Sequence, residues 1–210
     1  MGWFDYARSA EGASIEVINI ALFPLNTVLF PGSLLPLRLF EQRYLDMAAH
    51  CMKTSEPFGI CLIDEGSESG EAAMPHPVGT LAEITDWEME QLGILQITAL
   101  GGKRFRILSL EPGPNKSLSA KVEVIPHNGP CPLPPDKERI LLLLQRIIRD
   151  LGSDRIPEPH RLDDAEWVGY RITEILPIQN LAKQKLLELE DPVMRLNILE
   201  KYLMQRKLLA

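Results

Sequence analysis

The sequence predicts an α+β protein in which a β-rich first half, closed or nearly closed into a barrel, precedes a bundle of helices. Residues 14–125 carry short apolar runs separated by Pro and Gly, a pattern typical of short strands joined by turns. From Asp136 onward the apolar residues recur at the helical period. Five prolines among residues 126–135 lie between the two halves, and they predict a linker or a pinned crossover.

Six or more short strands and one helix are expected in the first half. In residues 33–40, Leu35, Leu37 and Leu39 alternate along the segment, so these leucines and Phe40 are predicted to be core. Helical spacing of apolar residues predicts the helix over 41–54. The remaining strand segments are 15–23, 58–64, 78–86, 93–99, 104–110 and 121–125, with a turn expected at Gly101-Gly102.

Four helices are expected in the second half. Asp136 is a predicted N-cap with Gly152 as the stop, Asp163 or Asp164 caps the second helix, and Asp191 caps the last. The helices cover about 136–152, 164–176, 181–190 and 193–209. The chain is therefore divided into a tail at 1–13, the β-barrel at 14–125, the Pro-rich linker at 126–135 and the helical bundle at 136–210.

Composition excludes several classes of protein. The net charge is −7 over 210 residues, which disfavours general nucleic-acid binding, since phosphate contacts need clustered Lys and Arg. Three cysteines without a CxxC spacing argue against a disulfide scaffold and a zinc site, and they predict reduced thiols in the cytoplasm. No run of 18 apolar residues is present, so no membrane-spanning segment is expected.

The sequence shows no pattern of catalytic residues. It lacks GxxxxGK[ST], GxGxxG and GxSxG, and its four histidines do not have the spacing of metal ligands. We therefore predict no enzyme, no metal and no cofactor.

The segment from Phe23 to Met47 strongly resembles the opening of the Lon protease N-terminal domain family. Further matches follow in the family's order at 58–60, 78–84, 102–106 and 176–188, so the resemblance covers about 14–205. It implies a PUA-like β-barrel followed by a helical bundle, a module that helps to bind protein substrates. Because the sequence contains no phosphate loop and no peptidase module, it is similar to the stand-alone bacterial form of the domain.

The resemblance places a substrate-contacting surface near Glu41, Gln42 and Arg43, next to Phe40. These residues have two readings, a local ion pair at a helix start or a polar rim beside an apolar groove. Arg104 and Arg106 flank Phe105, so their guanidinium groups point to one face, either a solvated surface or an anion or peptide contact.

We expect a non-enzymatic module that recognises unfolded or exposed apolar polypeptide, as an adaptor or weak holdase beside a separate protease system. It is expected to be a monomer or a homodimer. Two alternatives stay open: RNA binding by the PUA-like barrel, with a basic patch of Lys103, Arg104, Arg106 and Lys121, or a small-molecule site.

Overall fold

The computed structural model describes residues 15–68, 73–127, 129–152 and 156–209, so the predicted tail at 1–13 lies outside the described residues. Within these ranges the fold is a mixed α+β arrangement of seven strands and five helices, which confirms the predicted class. The strands are β1 (Val17–Leu25), β2 (Leu34–Leu39), β3 (Phe58–Glu65), β4 (Met74–Pro75), β5 (Val78–Gln91), β6 (Ile94–Pro112) and β7 (Leu118–Val124). The helices are α1 (Gln42–Thr54), α2 (Glu138–Leu151), α3 (Ala165–Ile175), α4 (Asn180–Glu188) and α5 (Pro192–Gln205).

The sheet is mainly antiparallel and its pairings form a closed circuit. β1 pairs with β7, β7 with β6, β6 with β5 and β5 with β3. β3 returns to β1 through the parallel register Leu22↔Gly59 to Leu25↔Leu62. β2 pairs with β6 beside this circuit, and the short β4 pairs with β3.

The turn predicted at Gly101-Gly102 is wrong, because β6 continues through both glycines as one strand. A side chain at Gly101 would meet the Phe30 carbonyl far inside van der Waals distance. The amide of Gly32 donates to the Gly101 carbonyl at 2.7 Å, and the Gly101 amide donates to Ser33 at 2.8 Å. Gly101 therefore allows the Phe30–Ser33 turn to lie directly on β6.

The helix caps agree with the sequence at three of four positions. Asp164 accepts from the Glu166 amide at 3.0 Å, and Asp191 accepts from Val193 at 2.8 Å, so both are N-caps. Gly152 ends α2 with a positive φ of 78°. The cap predicted at Asp136 is wrong, because this residue lies in a 3₁₀ turn (Pro135–Lys137) that precedes α2.

The helices pack on each other and on the sheet. The largest core cluster of the sheet lies beneath α1, and a second cluster joins α2, α3, α4 and α5. A small buried cluster joins the two halves, formed by Val28, Phe30, Leu62, Tyr170 and Leu187.

The Pro-rich segment is pinned to the start of α3. The amide of Leu133 donates to the Asp163 carbonyl at 2.7 Å, and the Ala165 amide donates to the Cys131 carbonyl at 2.7 Å. The predicted division of the chain at 126–135 stays a prediction, as do the barrel and the helical bundle.

Candidate functional site

Large apolar side chains are exposed together at the hairpin that joins β5 to β6. Gln91 pairs with Ile94, and Gly93 turns the chain between them with a φ of 83°. Leu92 at the tip is 95% exposed, and Trp87 is 58% exposed. Met89 is also exposed, and Phe40 follows Leu39, which pairs with Leu95. We call Trp87, Met89 and Leu92 the hairpin patch.

Trp87 stands between two surface hollows. One hollow, of about 230 Å³, is lined by Leu37, Arg38 and Gln96. The other, of about 400 Å³, is lined by Met52 of α1 and by Ile84. Leu37, Ile97 and Trp87 lie opposite one another across three strands, and Ile97 is buried. The Trp87 side chain therefore continues, on the surface, the row of apolar side chains that contains the buried Ile97.

The outer edge of β2 is interrupted by a proline. Among the described residues β2 pairs with β6 alone, so its second edge has no strand beside it. Pro36 lies inside β2 opposite Thr98. Because proline has no amide hydrogen, it weakens this edge as a template for an added strand.

Phe40 is 63% exposed, so its predicted place in the core is wrong. Its neighbour Leu39 is buried, because successive side chains of a strand point to opposite faces. Gln42, in the first turn of α1, donates to Asp46 at 2.7 Å and is exposed. Phe40 and Gln42 are thus accessible to a partner.

Glu41 and Arg43 form a local ion pair of 2.9 Å at the start of α1. Arg43 is buried and donates to the Lys116 carbonyl at 2.8 Å and to the Glu68 carbonyl at 3.4 Å. Its guanidinium also lies 4.6 Å from the centroid of the Tyr44 ring. The Arg43 guanidinium is therefore used in hydrogen bonds to loops of its own chain, whereas the Glu41 side chain remains partly exposed.

Arg104 and Arg106 point to the same side of β6, as predicted, but only one of them is solvated. Arg104 is buried and donates to the carbonyls of Leu187 at 2.8 Å and Leu189 at 3.1 Å. The solvated surface expected there is therefore wrong for Arg104. Arg106 is exposed, and its Nη2 lies 3.5 Å from a carboxylate oxygen of Glu190.

A cleft of about 410 Å³ opens between β6 and α3. Its apolar walls include Leu100, Pro126 and Trp167, and Lys103 and Arg161 are among its charged groups. We call it the β6–α3 cleft.

The α3 wall of the β6–α3 cleft carries a chain of three polar side chains. Glu166 accepts from the Tyr170 hydroxyl at 3.1 Å and lies 2.6 Å from Nδ1 of His127. Burial raises the pKa of Tyr170 to about 12, so its hydroxyl stays protonated at neutral pH. Glu166 is thus held in place by a neutral donor and a histidine ring.

Two arginines that the sequence reasoning did not single out join the parts of the fold. Arg171 is buried and donates to the carbonyls of Pro31 at 2.7 Å and Gly32 at 3.1 Å. Arg195 is 0% exposed and donates to the carbonyls of Leu186 and Leu189. Each of these arginines lies on the apolar stripe of a predicted helix, and this position in the sequence is the signal that could have identified it.

Other features limit the chemistry of the described ranges. No group of His, Cys, Asp or Glu residues among them is arranged to hold a metal ion. None of their helices has the length and hydropathy needed to cross a membrane. Cys51 and Cys61 are buried, and burial raises the pKa of both thiols, which disfavours the nucleophilic thiolate.

The sequence matches the family described as the ATP-dependent protease La (LON) substrate-binding domain over residues 19–205. The chain belongs to this family. It is similar to the Lon N-terminal domain protein from Xanthomonas campestris, with 31% identity and a TM-score of 0.74 over 88% of this chain and 98% of that one. The N-terminal domain of Mycobacterium avium complex Lon protease shares the fold, with 20% identity and a TM-score of 0.64 over 88% of this chain and 97% of that one.

Two longer relatives contain a similar region. Lon protease 2 of Herpetosiphon aurantiacus is 26% identical over 90% of this chain, which covers 24% of that protein. Cereblon of Danio rerio is 28% identical over 53% of this chain and 26% of its own length. The chain thus spans about a quarter of the length of the curated relatives it matches, and the family match is to a substrate-binding module rather than to a catalytic one.

Proposed function

We propose that this LON substrate-binding domain recognises exposed apolar segments of unfolded or partly folded polypeptides through the hairpin patch. The observation that carries the proposal is the cluster of large apolar side chains at one end of the sheet, with Leu92 95% exposed. An apolar cluster of this kind commonly marks an interaction site. Membership of a substrate-binding family supports the same function.

Side chains rather than backbone pairing account for recognition in this proposal. The free edge of β2 contains Pro36, which cannot donate a hydrogen bond to an added strand. The hollows beside Trp87 instead offer space for apolar side chains. Contacts of this kind tolerate many sequences, as a binder of unfolded chains requires.

The charges around Trp87 favour segments with basic flanks. Asp86 and Glu88 line one hollow, and Glu56 and Glu83 line the other. Arg38 is the one cation among the lining residues of these two hollows. Because opposite charges speed encounter and like charges oppose it, an apolar segment flanked by Lys or Arg binds more tightly than one flanked by Asp or Glu.

In the cell this chemistry suits a non-enzymatic adaptor or weak holdase that works beside a separate protease system. We place it in the cytoplasm, as a monomer or homodimer. For the fold, we propose the PUA-like barrel and the helical bundle, supported by the closed circuit of strand pairings and the shared core of α2 to α5.

The test is fluorescence anisotropy with a labelled, permanently unfolded polypeptide. The intact chain should bind it, and should bind a folded protein of similar charge much more weakly. The double variant Trp87→Ala/Leu92→Ala should lose at least about tenfold in affinity, equivalent to about 1.4 kcal/mol. Leu181→Ala is the matched control, since Leu181 is a similarly exposed apolar residue on α4. Equal affinities of the intact chain, the double variant and Leu181→Ala for the unfolded polypeptide would refute the proposed site.

Observations on the predicted basic patch count against RNA as the ligand. Arg104 is buried, Lys103 lies 3.4 Å from Glu16, and Arg106 lies 3.5 Å from Glu190. These cations face carboxylates or carbonyls of the same chain. RNA binding would show a steep loss of affinity with salt, which the same anisotropy assay measures with a labelled RNA.

A further inference from the structure

Acidic residues are concentrated in the part of the chain that forms the hairpin. Between Lys53 and Lys103 the sequence contains nine Asp and Glu residues and no Lys or Arg. The whole chain carries a net charge of −7, so this stretch carries −9 and all the other residues together carry +2. The stretch includes β5 and the first part of β6, the two strands of the hairpin. A positively charged partner is therefore attracted to this part of the molecule.

The larger of the two hollows beside Trp87 lies between α1 and β5, and we call it the α1–β5 hollow. Its volume is about 400 Å³. Met52 of α1 is 37% exposed, and Ile84 and Trp87 of β5 add apolar surface to the lining. Long cationic side chains bury their aliphatic stems along surfaces of this kind and keep the charged end near water. The hollow thus suits one long side chain of a bound segment.

The lining of the α1–β5 hollow includes two carboxylates and neither Lys nor Arg. Glu83 is exposed, and among the described residues its side chain forms no ion pair and no hydrogen bond. Glu56 lies 2.9 Å from Nε2 of His50, and both of these side chains are more than half exposed. The smaller hollow on the other side of Trp87 differs, because Arg38 supplies a cation among its acidic lining residues. A cation of a partner is therefore expected in the α1–β5 hollow.

An apolar side chain is a poor occupant of the α1–β5 hollow. It would remove water from Glu83 without supplying a hydrogen-bond donor, and the loss of hydration costs free energy. An Arg or Lys side chain can pack its stem against Met52 and Ile84 while its charged end donates to Glu83. The exposed ring of Trp87 adds a surface on which a planar guanidinium group stacks.

We propose that the α1–β5 hollow is the specificity pocket of the hairpin patch, and that it takes an Arg or Lys side chain of a basic polypeptide segment. Glu83 is the specificity-determining residue, and Met52 supports the stem of the bound side chain. Apolar residues next to the basic one pack on the exposed Leu92 and Met89. This inference rests on the proposed function, and it names strongly basic, partly apolar segments as the substrate class.

The test measures fluorescence anisotropy of three labelled peptides with the intact chain. The peptides carry the same pair of leucines, flanked on both sides by Arg, by Gln or by Glu. We expect the Arg peptide to bind most tightly and the Glu peptide most weakly, with a difference of at least about tenfold at low salt. The difference should shrink as salt is added, because the carboxylates of the hollow are exposed.

Two variants locate the preference in the hollow. Glu83→Gln should remove most of the advantage of the Arg peptide over the Gln peptide. Glu83→Lys should weaken the Arg peptide further and strengthen the Glu peptide, because the pocket then carries the opposite charge. Glu111→Lys is the matched control, since Glu111 is an exposed residue near the other end of β6 and the change in net charge is the same. This control should keep the order of the three peptides.

The outcomes separate this inference from the proposed function. Equal affinities for the three peptides, together with weaker binding by Trp87→Ala/Leu92→Ala, would overturn the basic pocket and leave the hairpin patch as the site. Equal effects of Glu83→Lys and Glu111→Lys would also overturn the pocket, because net charge would then account for the preference. Binding of none of the peptides, nor of the unfolded polypeptide, would overturn the proposed function itself.

Discussion

The hairpin end of the sheet and the part of the sheet that faces the helices, here called the helical end, differ in the exposure of their large side chains. At the hairpin end, Trp87, Met89 and Leu92 are exposed and make little contact with the core. At the helical end, Arg104, in the middle of β6, is buried against the carbonyls of Leu187 and Leu189 at the end of α4. Apolar residues thus lie in water and charged residues in the interior, the reverse of the usual distribution. The comparison indicates that the hairpin end serves binding, whereas the helical end fixes the relative position of sheet and helices.

The largest effect expected from this comparison is the loss of stability when Arg195, at the helical end, is replaced by alanine. Arg195→Ala removes the arginine donor to the Leu186 carbonyl and one of the two arginine donors to the Leu189 carbonyl, and it opens a cavity above Tyr170. We expect the free energy of unfolding to fall by about 3–5 kcal/mol, measured by urea denaturation.

Arg206→Ala is the matched control for this variant. Arg206 also lies over a tyrosine ring, that of Tyr202, but at 5.5 Å and on an exposed part of the chain. Its loss should cost less than about 1 kcal/mol. Similar losses for the two variants would show that burial of Arg195 does not set its contribution.

The next effect is a loss of stability at alkaline pH that depends on Tyr170. Burial raises the pKa of Tyr170 to about 12 from a usual value of 10.0. A raised pKa means that the stabilisation is complete below pH 10 and is lost as the pH rises through 12. We expect the wild type to lose about 2–3 kcal/mol of its free energy of unfolding across this window, and Tyr170→Phe to lose less. A pH dependence unchanged in Tyr170→Phe would contradict the assignment.

The third effect is a difference in stability between alanine substitutions at two adjacent glycines of β6. A methyl group at Gly101 would meet the Phe30 carbonyl, whereas at Gly102 the nearest atom, the Leu81 carbonyl oxygen, is 3.4 Å away. Gly101→Ala should lower the free energy of unfolding by about 1–3 kcal/mol, and Gly102→Ala by clearly less. Denaturation midpoints of both variants measure the difference. A larger loss in Gly102→Ala would show that the turn above Gly101 yields easily.

The smallest effect on stability is expected at the hairpin end. Trp87→Ala and Leu92→Ala should each change the free energy of unfolding by less than about 0.5 kcal/mol, because both side chains are mostly in water. Their effect should appear in polypeptide affinity instead. Loss of stability above 1 kcal/mol, with affinity unchanged, would mean that the hairpin supports the core rather than binding.

Much of the fold could be predicted from local pattern. The alternation of Leu35, Leu37 and Leu39 indicated a strand, and helical spacing placed α1 to within one residue. The caps Asp164 and Asp191 were readable because a short acidic side chain satisfies amides that are two or three residues away.

The candidate site could be predicted only in part. Phe40 and Gln42 are accessible, whereas Arg43 and Arg104 bond to carbonyls 73 and 83 residues away in sequence. No local pattern specifies such partners. The hairpin patch was missed because a tryptophan or methionine in a strand reads as core until the neighbouring elements show that nothing covers it.

The sequence by itself determined the α+β class, most strand and helix positions and the family resemblance, since all of these depend on short-range preference or ordered motifs. The tertiary structure decided which side chains are buried. It placed the guanidinium groups of Arg171 and Arg195 inside, because carbonyls from distant segments converge there to satisfy them. It left Trp87 and Leu92 in water, because the hairpin extends beyond the elements that could cover it.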